Sequence, residues 1–418
     1  MKSIQSSSRA ALASGAMTHI AQDGLSATIN VLLPVLAQIF GLSYAYVGLL
    51  RGVKSFVQAV VEMGSGLLSE RVGETQLLAI GLVFSGLGYA LISAASGLVV
   101  ITAGLVVVGI GTALHHAPSS SLIASNFGAD RRSSALGLYN ASGDIGKLAF
   151  SGGFSFAAGL GMAWYQTSLI YAALSVLAAM AILFISSELR RKTRQTTHTE
   201  GTISTGGDGD DDDDDSFDND GGNHEELHKV SRWGVVDWRQ FSVLLSVICI
   251  DNMIQTSVLV FTAFLMLSKG FPLWQATAAT VIVLTGGAAG KAACGFLADR
   301  LGVRPAFALI QILTAIGLSL IVIAPTWIAL ALLLPLGAVV QGSSSITYGF
   351  AANLLHPSRM ARGYALLYAS GSFTAAAGPP LFGLIGDWVS ISATFYAMAF
   401  ATLLAAPLIY LLPRPASD

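Results

Sequence analysis

Apolar runs of roughly 20 residues or more, long enough to cross a bilayer as a helix, recur from one end of the chain to the other, with short polar breaks between them. The pattern predicts six spans in the first half, near Ala11–Phe40, Tyr44–Leu68, Leu77–Ser96, Val99–Ile123, Ser134–Met162 and Thr167–Ser186. Six more follow near Phe241–Leu267, Ala276–Leu297, Ala306–Ile323, Trp327–Leu354, Gly363–Asp387 and Ile391–Leu412. The predicted fold class is an all-α membrane protein of twelve transmembrane helices in two six-helix bundles. Several runs are rich in small residues, as in Thr285-Gly-Gly-Ala-Ala-Gly290 and Ala375-Ala-Ala-Gly-Pro-Pro380. Small residues let membrane helices approach closely, and Gly and Pro let them bend.

Composition agrees with this pattern. The 418 residues are 53% hydrophobic and 11% charged, with a mean hydropathy of +0.67. A soluble domain carries about 25% charged residues, so this chain buries its apolar surface in lipid rather than in one soluble core. Cys249 and Cys294 both fall in apolar segments and read as small buried residues, not a disulfide framework. The polar start, Met1 to Ala10, leads into an apolar stretch longer than a signal-peptide core and without a clear cleavage site, so it is expected to remain as the first span.

Charge placement orients the chain. Of the 22 basic residues, only Lys269 falls in a loop on the side away from the termini, and Arg51, Lys54, Lys147 and Lys291 fall within spans. All the others lie on the side that bears both termini, which the positive-inside rule assigns to the cytoplasm of an inner-membrane protein. The expected organisation is a first bundle over residues 1–187, a cytoplasmic linker over 188–238 and a second bundle over 239–418. The linker holds the basic run Leu189-Arg-Arg-Lys-Thr-Arg194 and the acidic run Asp210 to Asp215. Such a composition cannot form a core, and disorder is expected, with a short interfacial helix at Trp233–Trp238.

The halves repeat one another. Gly66-Leu-Leu-Ser-Glu-Arg-Val-Gly73 matches Gly295-Phe-Leu-Ala-Asp-Arg-Leu-Gly302, and Ala141-Ser-Gly143 matches Ala369-Ser-Gly371. Asp23 falls opposite Asp251, and Glu62 opposite Lys291. The two Gly-x-x-x-[Asp/Glu]-Arg-x-Gly loops, each just after the second span of its half, resemble the signature loop of the major facilitator superfamily. That resemblance implies a secondary transporter whose halves rock about a midplane site. It also implies that Glu70, Arg71, Asp299 and Arg300 form a conformational latch for the outward-facing state, through pairing with Arg or with a helix N-terminus. A narrower likeness lies in Gly109-Ile-Gly-Thr-Ala-Leu-His-His-Ala-Pro118, which is similar to a segment of fosmidomycin-resistance-type exporters, although Ala117 here separates His116 from Pro118. The Gly-x-x-x-Gly-Pro motif usual in the fifth span of the superfamily's exporters is absent around Gly143-Asp-Ile-Gly-Lys147.

An ionisable side chain at bilayer depth costs at least about 2.5–3.5 kcal/mol on insertion scales, so each is a functional candidate. His19 and Asp23 share a helix face, and the pair is read either as a proton site or as a helix–helix hydrogen bond; Glu62 and Asp144 are further proton-coupling candidates. Arg51, Lys54, His115, His116, Lys147, Asp251, Asn252 and Lys291 are the substrate-binding candidates. Arg51 either snorkels or lines a cavity. Lys54 either meets an anionic substrate or is neutralised by Glu62 and Asp144, and Asp144 with Lys147 is either a structural pair or part of the site. No metal site is expected, because neighbouring residues on a continuous helix diverge by about 100°, which sets His115 and His116 apart. No cofactor is expected, and no phosphate-binding glycine loop is present for ATP hydrolysis. The reading is a proton-coupled transporter, not an enzyme, acting as a monomer on a small anionic or amphipathic compound, with no nucleic-acid partner. Export by exchange with protons comes first. Uptake of an organic anion by symport is the alternative, and a non-transporting sensor or scaffold is a reading of another class.

Overall fold

The computed structural model describes residues 2–127, 129–201, 233–356 and 359–412. Its helices are α1 (Lys2–Phe40), α2 (Tyr44–Val72), α3 (Glu74–Ser93), α4 (Leu98–Ala113), α5 (His116–Asn126), α6 (Ala129–Gly159) and α7 (Trp164–Gly201) in the first half. The second half holds α8 (Trp238–Ser268), α9 (Leu273–Leu301), α10 (Val303–Ile323), α11 (Thr326–Ala351), α12 (Met360–Trp388) and α13 (Ile391–Leu408). With α4 and α5 counted as one broken span, these are the twelve expected spans. Nine of them qualify as membrane-crossing on length and apolar composition alone. The other three, α2, α6 and α12, are long enough but more polar, and all three lie where the halves meet.

Two local expectations need correction. The apolar sixth span ends at Ser187, close to the expected Ser186, but its helix α7 continues to Gly201, so the start of the linker is helical rather than disordered; the acidic run of the linker lies outside the described residues. The stretch from Trp233 to Trp238 is not a helix. Gly234 sits at φ +75°, Val235 bridges to Leu355, and the Asp237 side chain caps α8 by accepting from the N–H groups of Arg239 and Gln240. A left-handed glycine followed by an N-cap ends one conformation and begins another.

The repeated loops show why their last glycine recurs. Gly73 (φ +94°) ends α2 and opens α3, and Gly302 (φ +84°) ends α9 and opens α10. That backbone region is strained for any L side chain, so both halves turn a helix pair on one glycine. All six tryptophans lie at or beside span ends (Trp164, Trp233, Trp238, Trp274, Trp327 and Trp388), where an amphipathic ring suits the membrane–water boundary.

An even number of spans sets both termini on one side, here called the near side. On the far side a single apolar core runs through both halves, from Leu25, Leu32 and Leu36 of α1 to Phe261 and Phe264 of α8 and Phe395 of α13. On the near side the cores are separate: Ala21, Leu82 and Ile182 in the first half, Phe241, Phe307 and Phe350 in the second. The inter-half packing runs mainly through α2 with α12 and α6 with α9. A Cβ on Gly52 would stand 2.5 Å from the Ala376 carbonyl oxygen, and one on Gly383 2.5 Å from that of Tyr44. Near-side Gly64, Gly66 and Gly295 face open space instead. The halves are therefore closed on the far side and parted on the near side.

One polar tie reinforces the closure. Asp387, at the end of α12, accepts from the N–H groups of Tyr44 (2.7 Å) and Ala45 (2.9 Å) at the start of α2. A carboxylate at a helix N-terminus satisfies orphan donors and opposes the dipole, typically for about 1 kcal/mol. Gly52→Leu should keep the far side from closing. A cysteine placed at Ala37, buried in the far-side core, would then react with a membrane-impermeant thiol reagent from the far side; in a parent carrying only that cysteine it should be protected.

Candidate functional site

The site begins at a helix break. Pro118 has no N–H and its ring crowds the carbonyl one turn back, so the helical ladder fails ahead of it. α4 ends at Ala113 and α5 restarts at His116. The freed Thr112 carbonyl is taken by the His115 side chain, whose Nδ1 lies 2.5 Å away. Because of this break, His115 and His116 do not diverge as neighbours on a continuous helix would. Their rings lie 3.7 Å apart, centroid to centroid, which removes the geometric reason for expecting no metal-ligating arrangement.

Both imidazoles turn toward Asp23 of α1. His115 Nε2 is 3.3 Å from Asp23 Oδ1, His116 Nε2 3.9 Å from the same oxygen, and His19 Nε2 3.2 Å from Oδ2. His19 stacks on Tyr139 of α6 with centroids 4.2 Å apart, and its Nδ1 lies 2.8 Å from the Tyr139 carbonyl. The expected His19–Asp23 pair is thus one side of a four-residue cluster.

From Asp23 a line of alternating charges crosses to the second half. Lys147 Nζ stands 3.1 Å from Asp23 Oδ2 and 3.1 Å from Asp144 Oδ1. Asp144 in turn accepts from Lys291 of α9 at 2.6 and 2.8 Å. The Asp144–Lys147 pair anticipated from spacing exists, but it sits within a longer chain, and Lys291 is its link across the halves.

The α2 face carries a second polar stripe. Arg51 is buried and donates to Asn30 (3.0 Å) and Ser55, so it does not snorkel. Lys54 is buried and donates to Ser26 and Gln58, both at 2.6 Å. Among the described residues neither cation has a carboxylate within 4 Å. Nearer the open side, half-buried Glu62 has no cation within 4 Å among those residues and accepts from Ser372 of α12 at 3.3 Å. Across the opening stand Tyr348, Tyr364 and Tyr368 of the second half. Tyr348 and Tyr368 stack with centroids 5.2 Å apart, and Tyr368 lies parallel to His116 at 6.4 Å.

Asp251, expected to face substrate, is enclosed instead. Its carboxylate accepts from Gln255 (2.6 Å), Gln311 (3.2 Å) and Ser343 (2.7 Å), all within the second half, and it is 5% exposed. Asn252 turns its amide to the Ile248 carbonyl at 3.0 Å. Of the expected latch, Arg71, Asp299 and Arg300 make no ion pair within 4 Å among the described residues, and Arg300 lies 4.3 Å over the Phe296 ring; the side chain of Glu70 is outside the described set. That arrangement fits a near side that has parted.

The Major Facilitator Superfamily profile matches residues 15–279 and 243–418. The chain belongs to the major facilitator superfamily. Members are secondary transporters that work by alternating access, so the chain is a transporter and not an enzyme. Over 129 residues it is 25% identical to the uncharacterized MFS-type transporter YfnC of Bacillus subtilis (strain 168), a match spanning 31% of each chain. In fold it is similar to a bacterial homolog of the human lysosomal transporter Spinster, in its inward-facing, unoccupied conformation. There the TM-score is 0.72 at 15% identity, over 96% of each chain. The occupied inward-facing form of that homolog gives 0.71 at 14% identity, over 96% of this chain and 95% of that one.

Proposed function

We propose that this superfamily member moves a small organic anion with an apolar, planar part, in company with a proton, across the inner membrane. The excess of Lys and Arg on the near side supports a cytoplasmic placement of both termini. With that placement the parted side opens inward.

The observation that carries this reading is the α2 stripe. The buried Lys54 amine has only neutral oxygens as partners among the described residues, so a cargo anion would supply the counter-charge that its ammonium form lacks. The stacked tyrosines across the opening suit the apolar body of the cargo. Glu62, two helical turns from Lys54, stands toward the opening with no cation within 4 Å among the described residues. Asp23 already has the Lys147 ammonium at 3.1 Å, so the geometry favours Glu62 as the proton carrier. The charged and titratable groups within electrostatic reach of Glu62 are Lys54 on its own helix, Asp23, Tyr139, Tyr348 and Tyr368.

Export by exchange and uptake by symport differ in one respect: whether proton and cargo compete or bind together. An ionised Glu62 competes with a bound anion for the Lys54 charge, and a protonated one does not. Protonation therefore favours anion binding, which is the logic of symport. Binding of a panel of aromatic carboxylates to the purified protein tests this. Affinity should rise as pH falls, and Lys54→Gln should remove binding at every pH. An affinity that rises with pH would favour exchange.

A further inference from the structure

We propose that His19, Asp23, His115 and His116 form a binding site for a divalent first-row transition cation of the zinc type. It lies in the wall of the first half, beside the anion path, with His116 6.4 Å from Tyr368.

The tautomers carry the inference. A carbonyl can only accept, so the Nδ1 atoms that meet the Tyr139 and Thr112 carbonyls must hold the hydrogens of His19 and His115. In each neutral ring Nε2 is then a bare lone pair, and both lone pairs point at a carboxylate, itself only an acceptor. Acceptors set against acceptors at 3.2–3.3 Å need a positive species among them: either a second proton on each ring or one cation shared by all, with Lys147, 3.1 Å from Asp23 Oδ2, meeting part of the carboxylate charge. His115 Nε2 is fully buried and faces Asp23 Oδ1, and in the Nδ1–H form it has no hydrogen to donate there. A histidine that gives its other nitrogen to a backbone carbonyl is the usual support for a metal ligand, because that bond fixes the tautomer and the ring.

Dimensions and donor type agree. Bonds of about 2.0–2.2 Å to zinc place tetrahedral ligand atoms roughly 3.3–3.6 Å apart. His19 Nε2 lies 3.2 Å from Asp23 Oδ2, and His115 and His116 Nε2 lie 3.3 and 3.9 Å from Oδ1, so the rings must draw together around one carboxylate oxygen when the cation binds. All four ligand atoms lie within 4.8 Å of one another. Three imidazoles and one carboxylate suit zinc, nickel or cobalt rather than calcium or magnesium. The space is kept by Gly143, where a Cβ would come within 2.5 Å of His19 Nε2 and 2.9 Å of Asp23 Oδ2. The His116 side chain is 36% exposed and supplies access from the cavity. Lys147, now on Asp23, has Asp144 at the same 3.1 Å distance and can keep that partner when a cation arrives.

Chelator-treated full-length protein titrated with Co2+ tests the site, read by visible absorption, in which tetrahedral cobalt gives intense bands. The expected result is a tetrahedral spectrum saturating at one equivalent. His116→Ala, at a partly exposed position, should weaken it by about tenfold or more. Gly143→Ala removes no ligand and adds a favourable helix residue, and it should weaken the spectrum as well. His228→Ala, in the acidic linker, should leave it unchanged. Thermal unfolding without cobalt checks that each variant is folded. An octahedral spectrum only, bands indifferent to both cavity variants, or bands lost with His228→Ala would overturn the proposal.

Discussion

Glu62→Gln is expected to abolish proton movement while leaving the exchange of labelled anion across the membrane intact. The amide keeps the shape and the contact with Ser372 but can neither take up nor release a proton. Held permanently in a neutral form, the site should bind the anion at all pH values as the wild type does at low pH. In the wild type the affinities at low and high pH should differ by about 5–150-fold, the usual span of a coupling between two ligands. In Glu62→Gln that ratio should fall to about one, within the same coupling framework. Counterflow of labelled anion in proteoliposomes and anion binding across pH measure the two halves of this expectation. A variant that still moves protons would take the role from Glu62 and return it to Asp23 or Asp144.

The second large effect is expected at Asp144, the carboxylate shared by Lys147 and Lys291. Removing one partner of a buried ion pair leaves the other charge uncompensated and costs about 3–5 kcal/mol. The lysine side chains here are 30% and 34% exposed, which moves the expectation to the low end of that range or below it. In Asp144→Asn, Lys147 keeps Asp23, but Lys291 loses its only ion-pair partner among the described residues, and the halves lose their central tie. Lys291→Met removes the same tie but leaves Asp144 with Lys147, so it should cost less. The double variant should cost less than Asp144→Asn alone, because with Lys291 gone no lysine is left uncompensated and the two substitutions act on one interaction. Thermal unfolding of the four proteins, together with their transport rates, reads this cycle. Equal and additive effects would mean that the chain of charges does not act as a unit.

These expectations rest on features that differ in how far the sequence discloses them. The spans and the repeat are legible, because a membrane helix must satisfy its own backbone and expose apolar side chains over a fixed length. Gly73 and Gly302 are legible as well, since a turn at positive φ selects glycine in both copies. The cross-half contacts are not. Asp144 with Lys291, Glu62 with Ser372, and Asp387 with the start of α2 join residues far apart in sequence, and the rocking of two bundles sets their register. Asp387 had one faint signal: an acidic residue at the end of a span, on the side almost without basic residues. The cluster around Asp23 was hidden by a sound rule applied to the wrong geometry. Neighbours on a helix do diverge, but Pro118 breaks that helix, and the proline three residues after His115 was the clue. Asp251 failed in the opposite sense. Its repeat position suggested symmetry with Asp23, yet Gln255, Gln311 and Ser343 close around it as neutral donors. The stacked Tyr348 and Tyr368 carry no charge and so gave no signal at bilayer depth.

The most direct measurement is proton flux in proteoliposomes that hold a pH dye, on adding an aromatic carboxylate outside. Cotransport through the Lys54–Glu62 stripe predicts that the lumen acidifies as the anion enters. Alkalinisation would mean exchange against protons, and anion uptake with no pH change would mean that the proton is not the coupling ion; either result contradicts the account.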